Sequence, residues 1–196
     1  MFKRRQPLTK MQLLRELFWP SMGWIRTGKF LKHRILRLSD SSYKIARGLA
    51  CGAAMSFSPL VGSHFIQAGI IAYFIKGNVL ASLIGTFVGN PWTFPLMWYA
   101  SFVLGVWLFG LFGFESMGEM PEEFGFSVMW DMIWSDPLRL FVPWLLGGYI
   151  LALISWPFYF LLFFYLVKAG KKARAIAKEK RLKRKVKKQF REAENT

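Results

Sequence analysis

Two stretches decide how this chain folds: A-R-G-L-A-C-G-A-A-M-S-F-S-P-L-V-G-S-H-F-I-Q (46–67) and S-L-I-G-T-F-V-G-N-P-W-T-F-P-L-M-W (82–98). Each is apolar, and each is interrupted by a polar residue followed by proline. From Gly48 onward both belong to a run to Phe114, 67 residues with a single charge, Lys76. Leu140 to Val167 adds 28 residues with none. About 20 apolar residues make one helical span of a bilayer. Of the 196 residues 54% are hydrophobic and 18% aromatic, against roughly 45–50% apolar for a soluble domain. This argues against a soluble domain, a disordered chain and a disulfide scaffold. The fold class expected is an all-α integral membrane protein, a small polytopic helical domain.

Charge divides the chain in three. Residues 1–47 carry +10, residues 48–167 carry −4 and residues 168–196 carry +10. The positive-inside rule puts both termini in the cytoplasm and the acidic 115–137 loop on the far side, as in a multi-pass protein of the bacterial inner membrane. The organisation expected is a basic amphipathic segment (1–41), a membrane domain (42–167) and a basic tail (168–196). Within the membrane domain, 42–114 holds broken or re-entrant helices, 115–137 is the loop and 138–167 the last span. Near Thr9–Trp19 and over 22–38, apolar residues at helical spacing alternate with cations, as in helices that lie in a membrane interface. No signal peptide is expected, because the first 47 residues carry 12 Lys/Arg and no uncharged stretch of that length. Anionic lipid headgroups are the expected partners of both tails. Nucleic acid is not expected, since neither tail carries a nucleic-acid fold motif.

Ser39-Asp40-Ser41-Ser42 is a cluster of N-cap residues. A helix starting there cannot pass Ser58-Pro59, because proline pushes the residue before it out of helical space. Ser58 therefore reads as an N-cap and Pro59 as the first residue of a helix running to about Ile75. After Lys76-Gly77-Asn78 the same grammar returns: an apolar helix from Asn78 to Gly89, then Asn90-Pro91, then a helix to about Phe112 with Pro95 in its first turns. Gly48, Gly52 and Ser56 match Ala81, Gly85 and Gly89 at an offset of 33 residues. Small residues at that spacing let helix backbones approach closely in lipid. Residues 46–57 and 78–89 are 12 residues each, about 18 Å as helix and too short for a core of about 30 Å. The breaks at Pro59 and Pro91 are thus expected inside the bilayer. One hairpin over 46–75 plus a broken helix over 78–113 reconciles cytoplasmic termini with a far-side loop.

Paired interrupted segments point to a transporter site. Two helix N-termini at Pro59 and Pro91 offer unpaired N–H groups and positive dipole ends, which attract anions. Ser56, Ser58, Ser63, His64, Gln67, Asn90 and Thr93 supply donors nearby, and no Asp or Glu occurs between Gly48 and Phe114. Against this stands the plainer reading: Ser58 and Asn90 cap their own helices, His64 is a hydrogen-bonded core histidine with Gln67 on its face, and the glycines only pack. Arg47 reads as an interfacial anchor, with a place on an anion path as the alternative.

The stretches I-A-R-G-L-A-C-G (45–52), F-S-P-L-V-G-S-H-F-I-Q (57–67) and G-N-P-W-T-F-P (89–95), with Asn78 and Gly105, resemble the bacterial membrane family numbered 2062 among the domains of unknown function. The resemblance covers roughly 42–166. It implies a small integral membrane protein, sometimes found beside glycosyltransferase domains, and no known activity. Pro59, Gly62, His64, Asn90, Pro91, Thr93 and Pro95 carry over as signature positions without an assigned role.

The function expected is a transporter, flippase or channel-like protein for an anionic solute or lipid headgroup. The alternative is a non-transporting module that binds lipid, forms a homo-oligomer or assembles with an envelope-synthesis partner. An enzyme is not expected, since no nucleophile–base pair appears. Neither a metal nor a cofactor is expected: the lone Cys51 and two histidines make no ligand cluster.

Overall fold

The computed structural model describes residues 24–60, 62–113, 131 and 134–194. The expected helix near Thr9–Trp19 and almost all of the 115–137 loop lie outside them. Every regular element among the described residues is helical, with no strand among them. The elements are α1 (Trp24–Arg37), α2 (Ser42–Met55), α3 (Ser63–Phe74), α4 (Val79–Gly85) with a 3₁₀ extension (Thr86–Val88), α5 (Phe94–Leu111) and α6 (Pro137–Glu194).

The central element is α2. Its start is set by Ser41, whose hydroxyl accepts the Lys44 N–H at 3.3 Å. Its small residues let neighbours close in, and nearly every side chain from Ile45 to Met55 is buried. Against it lies α4, begun by Asn78, whose side-chain oxygen accepts the Ala81 N–H at 2.6 Å. The two run parallel in backbone contact. A Cβ on Gly52 would stand 2.0 Å from the Ser82 carbonyl oxygen, and one on Gly85 2.2 Å from that of Leu49. On Gly48 it would stand 2.1 Å from the Asn78 carbonyl oxygen. Contacts this close exist only because these residues carry no side chain.

The turn between α3 and α4 closes on a residue in the left-handed region, Lys76 (φ 56°). Gly77 N–H reaches back to the Ala72 carbonyl at 2.7 Å and Asn78 N–H crosses to that of Lys44 at 2.9 Å. This satisfies the end of α3 and pins the turn to α2. On α3, His64, Ala68 and Ala72 are buried while Ile66, Ile70, Tyr73 and Phe74 face outward. Four-residue spacing puts the buried set on one side of the helix.

The longest element is α6, with 58 residues, about 87 Å. Its first half packs antiparallel to α5, Gly105 against Pro143 and Gly147 against Ser101. Further along, it meets Phe57 at Gly148, Cys51 at Trp156, Tyr43 at Phe160, and Leu36 at Gly170. Carbonyls at the end of α1 and in the link to α2 are held from α6: Arg174 donates to Leu36, and Lys171 to Leu38 and Asp40. Those carbonyls lack helical partners, so the two cations fasten α1 to the rod. The last span and the basic tail, expected as separate segments, are one continuous helix through Pro143 and Pro157.

Two elements among the described residues are long and apolar enough to cross a membrane, α5 and the apolar part of α6. Only 28% and 11% of their most apolar windows are buried, unlike the mostly buried core helix of a soluble protein. Leu153, Ile154, Phe158, Leu161, Tyr165 and Leu166 project outward together from α6.

Candidate functional site

The two chain breaks stand side by side. Gly89 packs against Ser56, whose Oγ would be 2.6 Å from a Cβ there. The ring of His64, beyond the first break, meets that of Phe94, beyond the second, at 5.9 Å. Both breaks lie level with Gly148 of α6, whose nearest neighbours are Phe57 and Pro59. That level is not the midpoint of the uncharged stretch of α6 but about 8 Å beyond it, toward Leu140.

The first break departs from the sequence expectation. Pro59 does not begin a helix. α3 starts four residues later at Ser63, after Gly62 with φ +84° and no side-chain cap. Tertiary contact decides this: Ser101 Oγ donates to the Phe57 carbonyl at 3.1 Å, and the chain passes close beneath Gly148. Ser58 is buried, and its hydroxyl accepts the Leu60 N–H at 3.4 Å, capping a turn rather than a helix.

The second break departs too: Pro91 does not begin a helix, α5 starts at Phe94 after Thr93, and Asn90 caps the turn before it. Its Oδ1 accepts the N–H groups of Trp92 (3.0 Å) and Thr93 (3.1 Å), and its carbonyl accepts that of Phe94 at 2.9 Å. Thr93 Oγ1 accepts the Asn90 N–H at 2.9 Å and donates to the Val88 carbonyl at 2.7 Å. Gly89 N–H goes to Thr86, and Pro91 and Pro95 have no N–H to offer. From Gly89 to Pro95 no backbone donor is left for an anion.

The remaining candidates are similarly engaged. His64 is 5% exposed and stacks on Phe65 at 4.3 Å. Gln67 does not bond it. Gln67 donates to Ser63 Oγ at 2.7 Å and accepts from the Tyr149 hydroxyl of α6, also at 2.7 Å. Ser56 Oγ and Ser63 Oγ each donate to a carbonyl within their own turn. The structure thus brings the predicted residues together and uses their polar atoms to close the breaks.

A second locus was not singled out by sequence. A cavity of about 600 Å³ runs between α2, α3 and α6, lined by Tyr43, Arg47, Cys51, Ile71, Leu153 and Trp156 among others. Arg47 stands at one end. Its guanidinium lies 4.3 Å over the Tyr43 ring and donates to the Ile75 carbonyl, while its Nε is buried without a partner. A larger apolar cavity, about 700 Å³, lies between α1, α4 and α6 with Lys32 as its one charged wall residue. Among the described residues no group of three His, Cys, Asp or Glu side chains could hold a metal ion.

The sequence model of a bacterial family, described as an uncharacterized protein conserved in bacteria (DUF2062), matches residues 25–175. The chain belongs to this family. In this member of DUF2062 the match includes α1 and ends just past Arg174, so it takes in the cations that tie α1 to α6. No curated protein and no solved structure matches the chain.

Proposed function

We propose that this DUF2062 protein is a polytopic inner-membrane protein that binds anionic phospholipid of the cytoplasmic leaflet without carrying a solute across. In this reading α2 and α3 form a re-entrant hairpin, α4 and α5 a broken span, and α6 the return span, with both tails cytoplasmic. The observation that carries it is the separation of surfaces on α6. Between Arg139 and Lys168 lie 28 uncharged residues, about 42 Å, the thickness of a bilayer with its headgroups. Beyond Lys168 the rod is basic, and Lys171 and Arg174 hold α1 there. Lys29, Lys32, Arg34 and Arg37 of α1 therefore gather at the same end, and each cation near an anionic leaflet contributes about 1 kcal/mol.

Transport is the second reading. It is favoured by the matched height of the two breaks, the arrangement of discontinuous helices in carriers. It is disfavoured by the second break, where every backbone donor from Gly89 to Pro95 is engaged. Vesicle reconstitution separates the two. Protein in vesicles of phosphatidylglycerol and phosphatidylethanolamine is expected to retain phosphatidylglycerol preferentially on re-extraction. Fluorescent lipid in those vesicles should flip no faster than in empty ones. Retention without headgroup preference refutes lipid recognition, and accelerated flip restores transport. Cysteine labelling of spheroplasts tests the topology in a Cys51→Ala background. Gly125→Cys, outside the described residues, is expected to react from outside and Phe190→Cys to stay protected.

A further inference from the structure

We infer that the cavity between α2, α3 and α6 holds one anionic phospholipid, its phosphate on Arg47 and an acyl chain along Cys51, Ile71, Leu153 and Trp156. The inference rests on the lipid-binding reading above and names its site.

Arg47 carries the chemistry. It lies one and a half turns into α2, level with the α3–α4 turn, and no carboxylate pairs with it among the described residues. The nearest acid in the chain, Asp40, already receives the Asn78 side-chain amide. Of its five N–H donors, one is placed on the Ile75 carbonyl, and the Nε is enclosed without an acceptor. An ionisable residue in a membrane segment normally marks a ligand or a path, because an unpaired charge there is costly. Tyr43 covers one face of the guanidinium and is braced by Phe160 at 5.1 Å. The donors left are Nη N–H groups, of the kind that pair with phosphate oxygens. Apart from Asp40, the charged groups around this end are cations: Lys44 on α2, Lys76 in the turn, and Lys168 on α6, which lies 5.6 Å over Phe164.

The rest of the cavity selects a lipid over a free anion. Below Arg47 the polar atoms of the wall are engaged: Cys51 Sγ accepts the Trp156 indole N–H at 3.3 Å, and the Tyr149 hydroxyl goes to Gln67. What remains is apolar, and it opens outward, since Leu153 in its wall is 77% exposed. The α6 residues Tyr149 to Trp156 line it over about 10 Å. An acyl chain leaving the bilayer gains little hydrophobic energy, because lipid tails are as apolar as the wall. Selectivity therefore falls on the phosphate and Arg47.

Native mass spectrometry of the full chain, titrated with phosphatidylglycerol or phosphatidylethanolamine, tests this. Wild type is expected to hold one phosphatidylglycerol. Arg47→Gln should lower its occupancy at least five-fold, with partial recovery in Arg47→Lys and no change in Phe87→Leu at the other cavity. Where Arg47→Gln does not purify, Leu153→Trp, which fills the cavity from its exposed wall, should give the same loss. Unchanged occupancy in Arg47→Gln, or in Leu153→Trp where that variant stands in, overturns the site and leaves the lipid-binding reading standing. A wild type without anionic lipid overturns that reading first. Displacement of bound lipid by inorganic phosphate reassigns the cavity to a soluble anion.

Discussion

Replacing Gly52 by alanine tests the helix contact on which the architecture depends. The new Cβ would lie 2.0 Å from the Ser82 carbonyl oxygen, 2.6 Å from the Thr86 nitrogen and 2.7 Å from the Gly85 carbonyl carbon. Ordinary contact begins at 3.4 Å, so α4 must retreat by about 1.4 Å, and all three atoms are backbone. Retreat is resisted where α4 is tied to α2, by Asn78 N–H on the Lys44 carbonyl and the Asn78 side chain on Asp40. Overpacking of this kind costs about 1–3 kcal/mol, here at the upper end because no side chain can swing away. Alanine returns about 1 kcal/mol of helix propensity. The net loss expected is about 2 kcal/mol, a fall in melting temperature of roughly 4–8 °C for a chain of this size. Gly69→Ala is the matched control, since its Cβ would meet only Val79 Cγ1 at 3.7 Å. Both variants are melted in the same detergent, followed by circular dichroism. If Gly52→Ala melts at or above wild type while Gly69→Ala holds, the α2–α4 backbone contact does not exist.

Two further substitutions read the turns. Lys76 sits at φ 56°, a conformation costing a side-chain residue roughly 1–2 kcal/mol; Lys76→Gly should therefore raise stability by up to about 1 kcal/mol. Lys76→Ala, which removes the charge but keeps the Cβ, should not, and equal gains in the two melts would trace the effect to charge. Thr93→Val removes the acceptor of the Asn90 N–H and a donor to the Val88 carbonyl, for an expected loss of about 1–3 kcal/mol. Thr93→Ser should keep most of it; a valine variant that melts like wild type would mean the break does not depend on this hydroxyl.

Local chemistry was legible in the sequence, and long-range contact was not. Ser41 and Asn78 are readable as caps because their short side chains bond donors three residues on. The α2–α4 packing is readable because Gly48, Gly52 and Gly85 leave one helical face without side chains. The start of α3 was misplaced at Pro59 because its position is set by Ser101, 44 residues from Phe57. Gly62, whose positive φ makes the turn into α3, is the one local sign of it. Arg47 read as an anchor that reaches for the interface. Its neighbours, the Ile75 carbonyl and the Phe160-braced Tyr43, become neighbours only once α3 and α6 have packed.

The breaks and the Arg47 cavity are connected by one constraint. Irregular backbone inside a bilayer costs several kcal/mol for each unpaired group. In the proposed topology short polar side chains meet that cost: Asn90 and Thr93 in one break, Ser58 and the incoming Ser101 hydroxyl in the other. The Thr93 hydroxyl, which already donates to the Val88 carbonyl, cannot also donate to an anion without releasing that backbone group. Broken helices therefore do not by themselves signal a substrate site in this fold. They let α2 end at the level of Gly148, so that α3 can turn back while α4 continues into α5. That turn brings Ile75 beside Arg47 and leaves the space between α2, α3 and α6 open at Leu153. Among the described residues of this hairpin, Arg47 is the charged group whose hydrogen bonds the fold leaves incomplete. Chemistry directed at a ligand is therefore to be sought at Arg47, and substitutions in the breaks should change stability before they change binding.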